Sequence, residues 1–282
     1  MSATTTTQLA IRKLSPNIGA EILGLDLTRP LDRTSIDAIL EIWHAHGVIL
    51  FRGQQLSEDD QARFASYIGP GAGVLHRHDG GSKKHSGIMY ISNVRENGKL
   101  IGALPDGEMM FHSDQCYVET PTAASMLFAI EIPSKGGDTL FANMYRAYET
   151  LPAELKARLE GKRALNVYDY DNAATHRGPV RADAPRHAHP VFRTHPATGR
   201  KALYVNRLMT HSILDIDPAE SERTLAFLFD HLENPEWIYT HHWRIGDLLM
   251  WDNRCTVHAR SDFDASERRL LRRAVVQGDK PY

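Results

Sequence analysis

The hydrophobic positions of this chain fall at two spacings, one typical of helices and one typical of buried strands. Ile36, Ile39, Leu40 and Trp43 fall at positions i, i+3, i+4 and i+7, which predicts a helix over 33–46. Further helices are predicted after the capping residue Ser57 up to residue 68, in two pieces over 145–161 separated at Pro152, and over 218–232. The helices therefore lie towards the flanks of a chain whose centre is richer in strands.

Short apolar runs predict the strands, which dominate the centre and the C-terminal half. They cover 8–14, 20–25, 48–51, 89–94, 111–114, 123–130, 138–142, 191–194, 202–205, 237–243, 247–251 and 269–276. Strands and helices do not alternate strictly, which argues against a doubly wound parallel sheet. The pattern favours an α+β chain with a mainly β core, a jelly roll with flanking helices, in one domain over 1–282. Residues 1–7 are predicted to be frayed and disordered, and the aperiodic stretch 166–190 is predicted to be a long loop or lid insertion.

Composition and charge exclude several classes of protein. The chain has 33 Lys and Arg against 35 Asp and Glu, a formal net charge of −2, so no basic face for nucleic acid is expected. Its two cysteines lack a Cys-x-x-Cys spacing, which argues against a disulfide scaffold or a thiolate zinc site. No apolar run reaches about 18 residues, and the first residues do not form a signal peptide. We therefore expect a cytoplasmic protein without membrane spans.

A His-x-Asp pair in a predicted strand is the first candidate for chemistry. Side chains at i and i+2 of a strand point to one face, so His112 and Asp114 can bind the same ion. An imidazole and a carboxylate are two of the three ligands in the 2-His-1-carboxylate triad of non-haem Fe(II), and His258 offers the third. Such a triad leaves coordination positions open for a cosubstrate and O₂. Taken alone, the pair is equally compatible with ordinary polar residues.

Two arginines follow His258 in a predicted strand. Arg269 and Arg273 are four residues apart and share a face with apolar neighbours. Inward-facing arginines are costly unless they meet anions, and a guanidinium group binds a carboxylate with two parallel hydrogen bonds. Thr139 can add one hydroxyl donor to the same carboxylate. The alternative interpretation is that the run 268–273 is a solvated strand edge.

Together, these motifs resemble the TauD/TfdA family of Fe(II)- and 2-oxoglutarate-dependent dioxygenases, which includes taurine and 2,4-dichlorophenoxyacetate dioxygenases. The resemblance covers nearly the whole chain and rests on the segments 18–27, 112–114, 133–139, 251–254 and 272–274 together with His258. Thr139 lies 27 residues after His112, and Arg269 and Arg273 lie 11 and 15 residues after His258, which is the spacing of that family. The combination is highly specific.

The resemblance implies a double-stranded β-helix fold and an Fe(II) ion held by His112, Asp114 and His258. It further implies that Thr139 and Arg269 bind the distal carboxylate of 2-oxoglutarate. Arg273 would lie near the iron-bound end of 2-oxoglutarate and the acid group of the substrate, and Trp251 would pack beside the metal. The implied reaction uses O₂, releases succinate and CO₂ and hydroxylates the substrate, with C–O or C–S cleavage where the hydroxylated carbon carries a heteroatom. Because Asp114 is present, the reaction expected is hydroxylation and not the halogenation of relatives that lack this carboxylate.

The substrate is expected to be a small organic acid, either a carboxylate such as an aryloxyalkanoate or a sulfonate. The resemblance implies substrate contacts from His78 and Arg273, and Asn93, Met110 and Trp251 complete the candidate set. The apolar residues 109–111 suit a substrate with some apolar body, although methionine there also suits plain packing. A taurine or alkylsulfonate dioxygenase is the alternative within the same family.

Two interpretations from other classes stay open. One is a zinc or iron cupin-like protein without 2-oxoglutarate, and the other is a metal-binding jelly roll that serves as a sensor or binding module. Neither gives a role to Arg269 and Thr139. The resemblance also implies a homo-oligomer, a dimer or a tetramer, and the helices predicted over 33–46 and 57–68 are candidates for the subunit contact.

Overall fold

The computed structural model describes residues 9–69, 87–104, 108–169 and 180–282. Its strands are β1 (Ile11–Lys13), β2 (Ala20–Ile22), β3 (Val48–Phe51), β4 (Ile88–Ser92), β5 (Arg95–Glu96), β6 (Lys99–Leu100), β7 (Met109–His112), β8 (Thr122–Glu131), β9 (Thr139–Asn143), β10 (Arg163–Val167), β11 (Arg186–Pro190), β12 (Phe192–Thr194), β13 (Lys201–Leu203), β14 (Thr210–Ile213), β15 (Ile238–His241), β16 (Leu248–Asp252), β17 (Thr256–Arg260) and β18 (Leu270–Gln277). Its helices are α1 (Arg33–His46), α2 (Glu58–Ile68), α3 (Met144–Thr150), α4 (Ala153–Leu159) and α5 (Pro218–Leu232), with a 3₁₀ turn over Pro235–Trp237.

The predicted helices are confirmed, and their ends follow from their capping residues. Asp32 accepts a hydrogen bond from the backbone N–H of Ser35 at the start of α1, and Gly47 ends that helix at φ 70°, where glycine has no Cβ to clash. Ser57 and Asp60 form a reciprocal capping box at the start of α2. Local sequence signals are therefore sufficient to set the bounds of both helices.

Two antiparallel sheets form the centre of the molecule. Seven strands hydrogen-bond in the order β1-β2-β3-β16-β8-β18-β4, and four in the order β15-β9-β17-β7. Only the β2–β3 contact in the seven-stranded sheet is parallel, and the four-stranded sheet is antiparallel throughout. The large side chains buried between the two sheets include Leu127, Phe141, Leu249, Trp251 and Leu271. These facing sheets confirm the predicted jelly roll.

The helices cover the outer faces of the two sheets. Trp43 of α1 and Phe64 of α2 pack with Ile49, Phe51 and Met126 on the outer face of the seven-stranded sheet. Helices α3, α4 and α5 join a second core that includes the outward side chains of β9 and β17. Ala142 of β9 and Val257 of β17 point outward into this second core. Because side chains alternate along a strand, their neighbours Phe141 and His258 point into the space between the sheets.

The prediction of one long loop over 166–190 is wrong at both ends. Strand β10 pairs with β11 in a register that sets Arg163 opposite Pro190 and Val167 opposite Arg186. These strands belong to a small three-stranded sheet and keep exposed and half-buried positions, so they carry no continuous apolar run for a sequence pattern to detect. A proline is tolerated in β11 because that strand lies at the sheet edge. Residues 170–179, like 1–8, lie outside the described residues.

Candidate active site

Two histidines and one aspartate converge between the sheets. His112 is the last residue of β7 and lies directly opposite His258 of β17 in the strand pairing. Their ring centroids are 4.1 Å apart, and the Nε2 atom of His112 is 4.0 Å from Oδ1 of Asp114. One ligand atom from each of the three buried residues lies within 4.8 Å of the other two. This spacing fits a single metal ion.

The predicted strand through Asp114 is wrong, because β7 ends at His112. The chain turns immediately afterwards, and Gln115 adopts the left-handed φ of 56°. Asp114 is placed instead by Asn253, whose side-chain oxygen accepts from the backbone N–H of Asp114 at 3.3 Å, while its carbonyl accepts from the Ser113 hydroxyl at 2.8 Å. The two ligands therefore face the same point although they do not share a strand face.

The protonation states of the three residues suit a divalent cation. The Nδ1 of His112 lies 2.9 Å from the Met110 carbonyl, which can accept its proton and so leaves the Nε2 lone pair for a metal. Burial lowers the pKa of His112, and burial with the neighbouring His112 holds the pKa of His258 well below its usual range. Burial opposes ionisation of Asp114, but Arg273 and the two imidazoles outweigh it and lower the pKa of that carboxyl. The Nδ1 of His258 is buried without a hydrogen-bond partner among the described residues.

A chain of hydrogen bonds fixes the Asp114 carboxylate. The Ser125 hydroxyl donates to Oδ2 of Asp114 at 2.5 Å and accepts from the Asn253 amide at 3.1 Å. The Trp251 indole N–H donates to the side-chain oxygen of Asn253 at 3.0 Å. A guanidinium N–H of Arg273 lies 2.8 Å from Oδ1 of Asp114. Ser125 was not a sequence candidate, and for Asn253 the only signal was its place in the Trp251 motif.

The buried Arg269 is the candidate for an anion site. Arg269 is 1% exposed, and among the described residues its Nε and Nη1 atoms have no hydrogen-bond partner. Burial, and next the charge of Arg260, lower the pKa of Arg269 to about 9, so the guanidinium stays charged at neutral pH. The Thr139 hydroxyl accepts from the Trp243 indole at 3.1 Å and keeps its own proton to donate. Gly137 packs against the Arg269 side chain.

The predicted strand that carries the arginines begins one residue later than expected, because β18 starts at Leu270. The pairing of β18 with β8 begins at Leu270, opposite Glu131, so Arg269 lies just outside the ladder. Arg269 is nevertheless buried, and Arg273 reaches Asp114. Both arginines therefore face the interior, and the alternative of a solvated edge is wrong for this pair.

The remaining sequence candidates fall in three places. Trp251 is buried with its ring centroid 4.7 Å from that of His258, and Met110 is half-buried two residues before His112. Asn93 uses its side chain on backbone groups, donating to the Glu267 carbonyl at 2.8 Å and accepting from the Arg269 N–H at 2.9 Å. It therefore holds the segment of Arg269. His78 lies outside the described residues.

A second cluster of possible metal ligands has its lone pairs already engaged. His195, Asp252 and Cys255 also offer ligand atoms within 4.8 Å of one another. The Nδ1 of His195 accepts from the N–H groups of residues 197 and 198 at 3.2 Å, so its Nε2–H donates to Asp252 at 2.9 Å. Arg254 donates to both carboxylate oxygens of Asp252 at 2.8 and 2.7 Å. This network anchors the turn between β16 and β17.

None of the helices in the described ranges is long and apolar enough to cross a lipid bilayer. This agrees with the absence of long apolar runs in the sequence.

Comparisons with known proteins identify the family. Residues 10–275 match the family model described as taurine catabolism dioxygenase TauD, TfdA family. Pentalenolactone F synthase of Streptomyces avermitilis is 36% identical over 285 aligned positions, which cover 94% of this chain and 92% of that protein. The alpha-ketoglutarate-dependent 2,4-dichlorophenoxyacetate dioxygenase of Cupriavidus pinatubonensis is 35% identical, with 94% of this chain and 96% of that protein covered. The crystal structure of AAD-2 in complex with Mn(II) and N-oxalylglycine superimposes with a TM-score of 0.85 at 28% identity, over 98% of this chain and 99% of that chain. The chain belongs to the TauD/TfdA family of dioxygenases.

Proposed function

We propose that this chain is an Fe(II)- and 2-oxoglutarate-dependent dioxygenase that hydroxylates a small organic acid and releases succinate and CO₂. One observation carries this assignment: the chain combines a two-histidine, one-carboxylate cluster with a buried arginine whose Nε and Nη1 atoms have no partner among the described residues. The cluster fits a divalent ion with open coordination positions, and the arginine fits an anion. Membership of the TauD/TfdA family supports the same pair of ligands.

His112, Asp114 and His258 are assigned as the iron ligands. Bound iron and 2-oxoglutarate together activate O₂ for attack on a carbon–hydrogen bond. The residues of the chain hold and orient the reactants: neutral imidazoles and an ionised carboxylate would bind the metal. Burial keeps the imidazoles neutral, and Arg273 keeps the Asp114 carboxylate ionised in spite of burial. The free N–H groups of Arg269 and the proton of Thr139 would bind the distal carboxylate of 2-oxoglutarate.

The charges leave one arginine for the substrate. Fe(II) brings two positive charges, Asp114 one negative and 2-oxoglutarate two negative, which leaves a net charge of −1 that one arginine, Arg269, offsets. Arg273 lies within 2.8 Å of Asp114 and therefore beside the proposed metal. Its guanidinium is assigned to the acid group of the substrate and to the iron-bound end of 2-oxoglutarate.

The substrate is proposed to be a carboxylate such as an aryloxyalkanoate, with a sulfonate second. The likeness to the 2,4-dichlorophenoxyacetate dioxygenase supports the carboxylate, and the half-buried Met110 supports an apolar body. Hydroxylation of a carbon that carries oxygen or sulfur would lead to C–O or C–S cleavage. The family description makes taurine the main alternative. Michaelis constants for aryloxyalkanoates, alkylsulfonates and taurine decide between them, and a lowest constant for taurine would overturn the carboxylate preference.

Anaerobic visible absorption of the purified protein tests the cosubstrate assignment. Fe(II) followed by 2-oxoglutarate is expected to give a weak visible band that needs both components and is absent in His112→Ala. A folded, metal-loaded protein without this band would remove 2-oxoglutarate from the proposal. The cupin-like metal protein and the non-enzymatic metal-binding jelly roll would then be the better interpretations.

Four broader expectations are kept as proposals. The chain is proposed to form one domain over 1–282, to be cytoplasmic, to bind no nucleic acid and to assemble as a dimer or tetramer. His78 and Asn93 likewise stay predicted substrate residues. Light scattering coupled to size exclusion tests the assembly, and a monomer at micromolar concentration would overturn it.

A further inference from the structure

We propose that Arg260 is a second cation for the distal carboxylate of the cosubstrate and that it makes the site selective for dicarboxylic keto acids. This assignment depends on the proposed function, because the carboxylate that Arg260 would bind is the distal carboxylate of 2-oxoglutarate. Arg260 was not among the residues that the sequence singled out.

The strand register places Arg260 inside the molecule. In the pairing of β17 with β9, His258 lies opposite Phe141 and Arg260 lies opposite Thr139, without a register shift. Directly opposed residues of an antiparallel pair point to the same face with Cβ atoms roughly 4.5–5.5 Å apart. Phe141 belongs to the core between the sheets, so Arg260 and Thr139 enter that space side by side. Arg260 is 8% exposed.

Arg260 and Arg269 lie at the same end of this space. Their guanidinium carbons are 5.8 and 5.9 Å from the centre of one aromatic ring, that of Phe263. After burial, the charge of Arg260 is the strongest influence that lowers the pKa of Arg269, and Asp138 acts in the opposite direction. Both guanidinium groups therefore lie beside the same ring, and the strand pairing sets Thr139 directly opposite Arg260.

This arrangement suits a carboxylate better than a single arginine does. An ionised carboxylate has about four lone-pair sites, and Arg269 with Thr139 would fill about three of them. Arg260 can donate to the remaining site and add a second positive charge. Two buried like charges repel each other, and an anion between them relieves the repulsion. A keto acid of the same length without the distal carboxylate would leave both guanidinium groups against its apolar end.

Binding measured without turnover tests the assignment. The visible band would be titrated anaerobically in the Fe(II) protein with 2-oxoglutarate and, separately, with 2-oxopentanoate, which lacks the distal carboxylate. Arg260→Gln is expected to bind 2-oxoglutarate at least about tenfold more weakly and 2-oxopentanoate as the wild type does. Arg260→Lys, which keeps the charge, should recover part of the loss. Arg268→Gln removes an exposed arginine that pairs with Glu131 and is the matched control.

Two results would overturn the role of Arg260. The first is an unchanged affinity of Arg260→Gln for 2-oxoglutarate. The second is an equal loss of affinity for both keto acids, because such a loss would mean that the substitution acts on the iron site or the fold. A wild-type protein that binds iron but gives no band with 2-oxoglutarate would instead overturn the proposed function itself. The two failures are therefore distinguishable.

Discussion

The hydroxyl of Ser125 donates to Oδ2 of Asp114 across 2.5 Å, although the two residues belong to different parts of the sandwich. Ser125 lies in β8 of the seven-stranded sheet, while Asp114 follows β7 of the four-stranded sheet. The hydroxyl is fully buried and accepts from Asn253, so its proton is directed at the carboxylate. This contact orients the oxygen of Asp114 that Arg273 does not pair with.

Ser125→Ala is therefore expected to weaken metal binding roughly 10- to 100-fold, the usual effect of losing a hydrogen bond to a ligand. Mn(II) binding followed by electron paramagnetic resonance measures this without turnover. Ser92→Ala is the matched control, because Ser92 is also fully buried but caps the N–H of Val94. Equal metal affinity in the two variants would contradict the positioning role of Ser125.

Gly137→Ala is expected to weaken 2-oxoglutarate binding. Gly137 has a φ of 66°, and a Cβ there would lie 3.2 Å from Nε of Arg269 and 3.0 Å from the Pro133 side chain. The added methyl group would displace the guanidinium from its carboxylate partner. Gly98→Ala is a control, since Gly98 has a φ of 77° and open space around it. Both variants should lose about 1 kcal/mol of stability from backbone strain, and only Gly137→Ala should raise the KM for 2-oxoglutarate. A similar KM in both variants would exclude crowding of Arg269.

Asp252→Asn is expected to destabilise the fold by about 3–5 kcal/mol, because the buried Arg254 loses its charged partner. Both carboxylate oxygens of Asp252 accept from Arg254, which is 8% exposed. Guanidinium denaturation measures the change. Asp230→Asn, which alters the exposed pair with Arg207, should cost no more than about 1 kcal/mol. Equal midpoints for the two variants would show that the buried network contributes little.

His189→Gln should remove part of the acid sensitivity of the fold. Burial is the main cause that lowers the pKa of His189 to about 4, while its Nε2 lies 2.9 Å from the Val118 carbonyl. The unfolded state binds the proton below about pH 6.5, but the folded state does so only below about pH 4. The stability that neutral His189 contributes to the fold is therefore fully present above about pH 6.5. It is lost as the pH falls towards 4, by up to about 3 kcal/mol.

Urea denaturation from pH 7.5 to 4.5 tests this pH dependence. The wild type is expected to lose stability over this range, and His189→Gln, which keeps an N–H donor for the same carbonyl, should lose less. His211→Gln changes an exposed histidine and should follow the wild-type curve. Parallel curves for all three proteins would contradict the role of His189.

The sequence predicts the residues whose role depends on local spacing, and it misses those whose role depends on strand pairing. His112, Asp114 and His258 were proposed as ligands because their residue types match a metal triad and the spacing of a known family, and the structure brings them together. Ser125 and Arg260 have no such signal. Ser125 reaches Asp114 because β8 lies beside β16 and β18, and the role proposed for Arg260 depends on the pairing of β17 with β9. Such contacts join distant parts of the chain and leave no local period.

The same limit explains the errors at element ends. Asp114 was assigned to a strand because His-x-Asp alternates, but the left-handed Gln115 turns the chain after His112. Asn93 stays a predicted substrate residue, and its contact with the backbone N–H of Arg269 was not foreseen because it joins residues 176 positions apart. The strands β10 and β11 were missed because their sheet is partly exposed and carries little apolar pattern.

The placement of the three proposed metal ligands has a consequence for how long the protein survives. His112 ends an edge strand, His258 lies in its neighbour, and Asp114 is tied through Ser125 to the opposite sheet. A bound ion would therefore tie the edge strand to its neighbour and, through the Asp114–Ser125 hydrogen bond, to the opposite sheet. We expect the metal-free form to be cut faster by proteases near β7. Iron shortage would then reduce the amount of this protein as well as its activity.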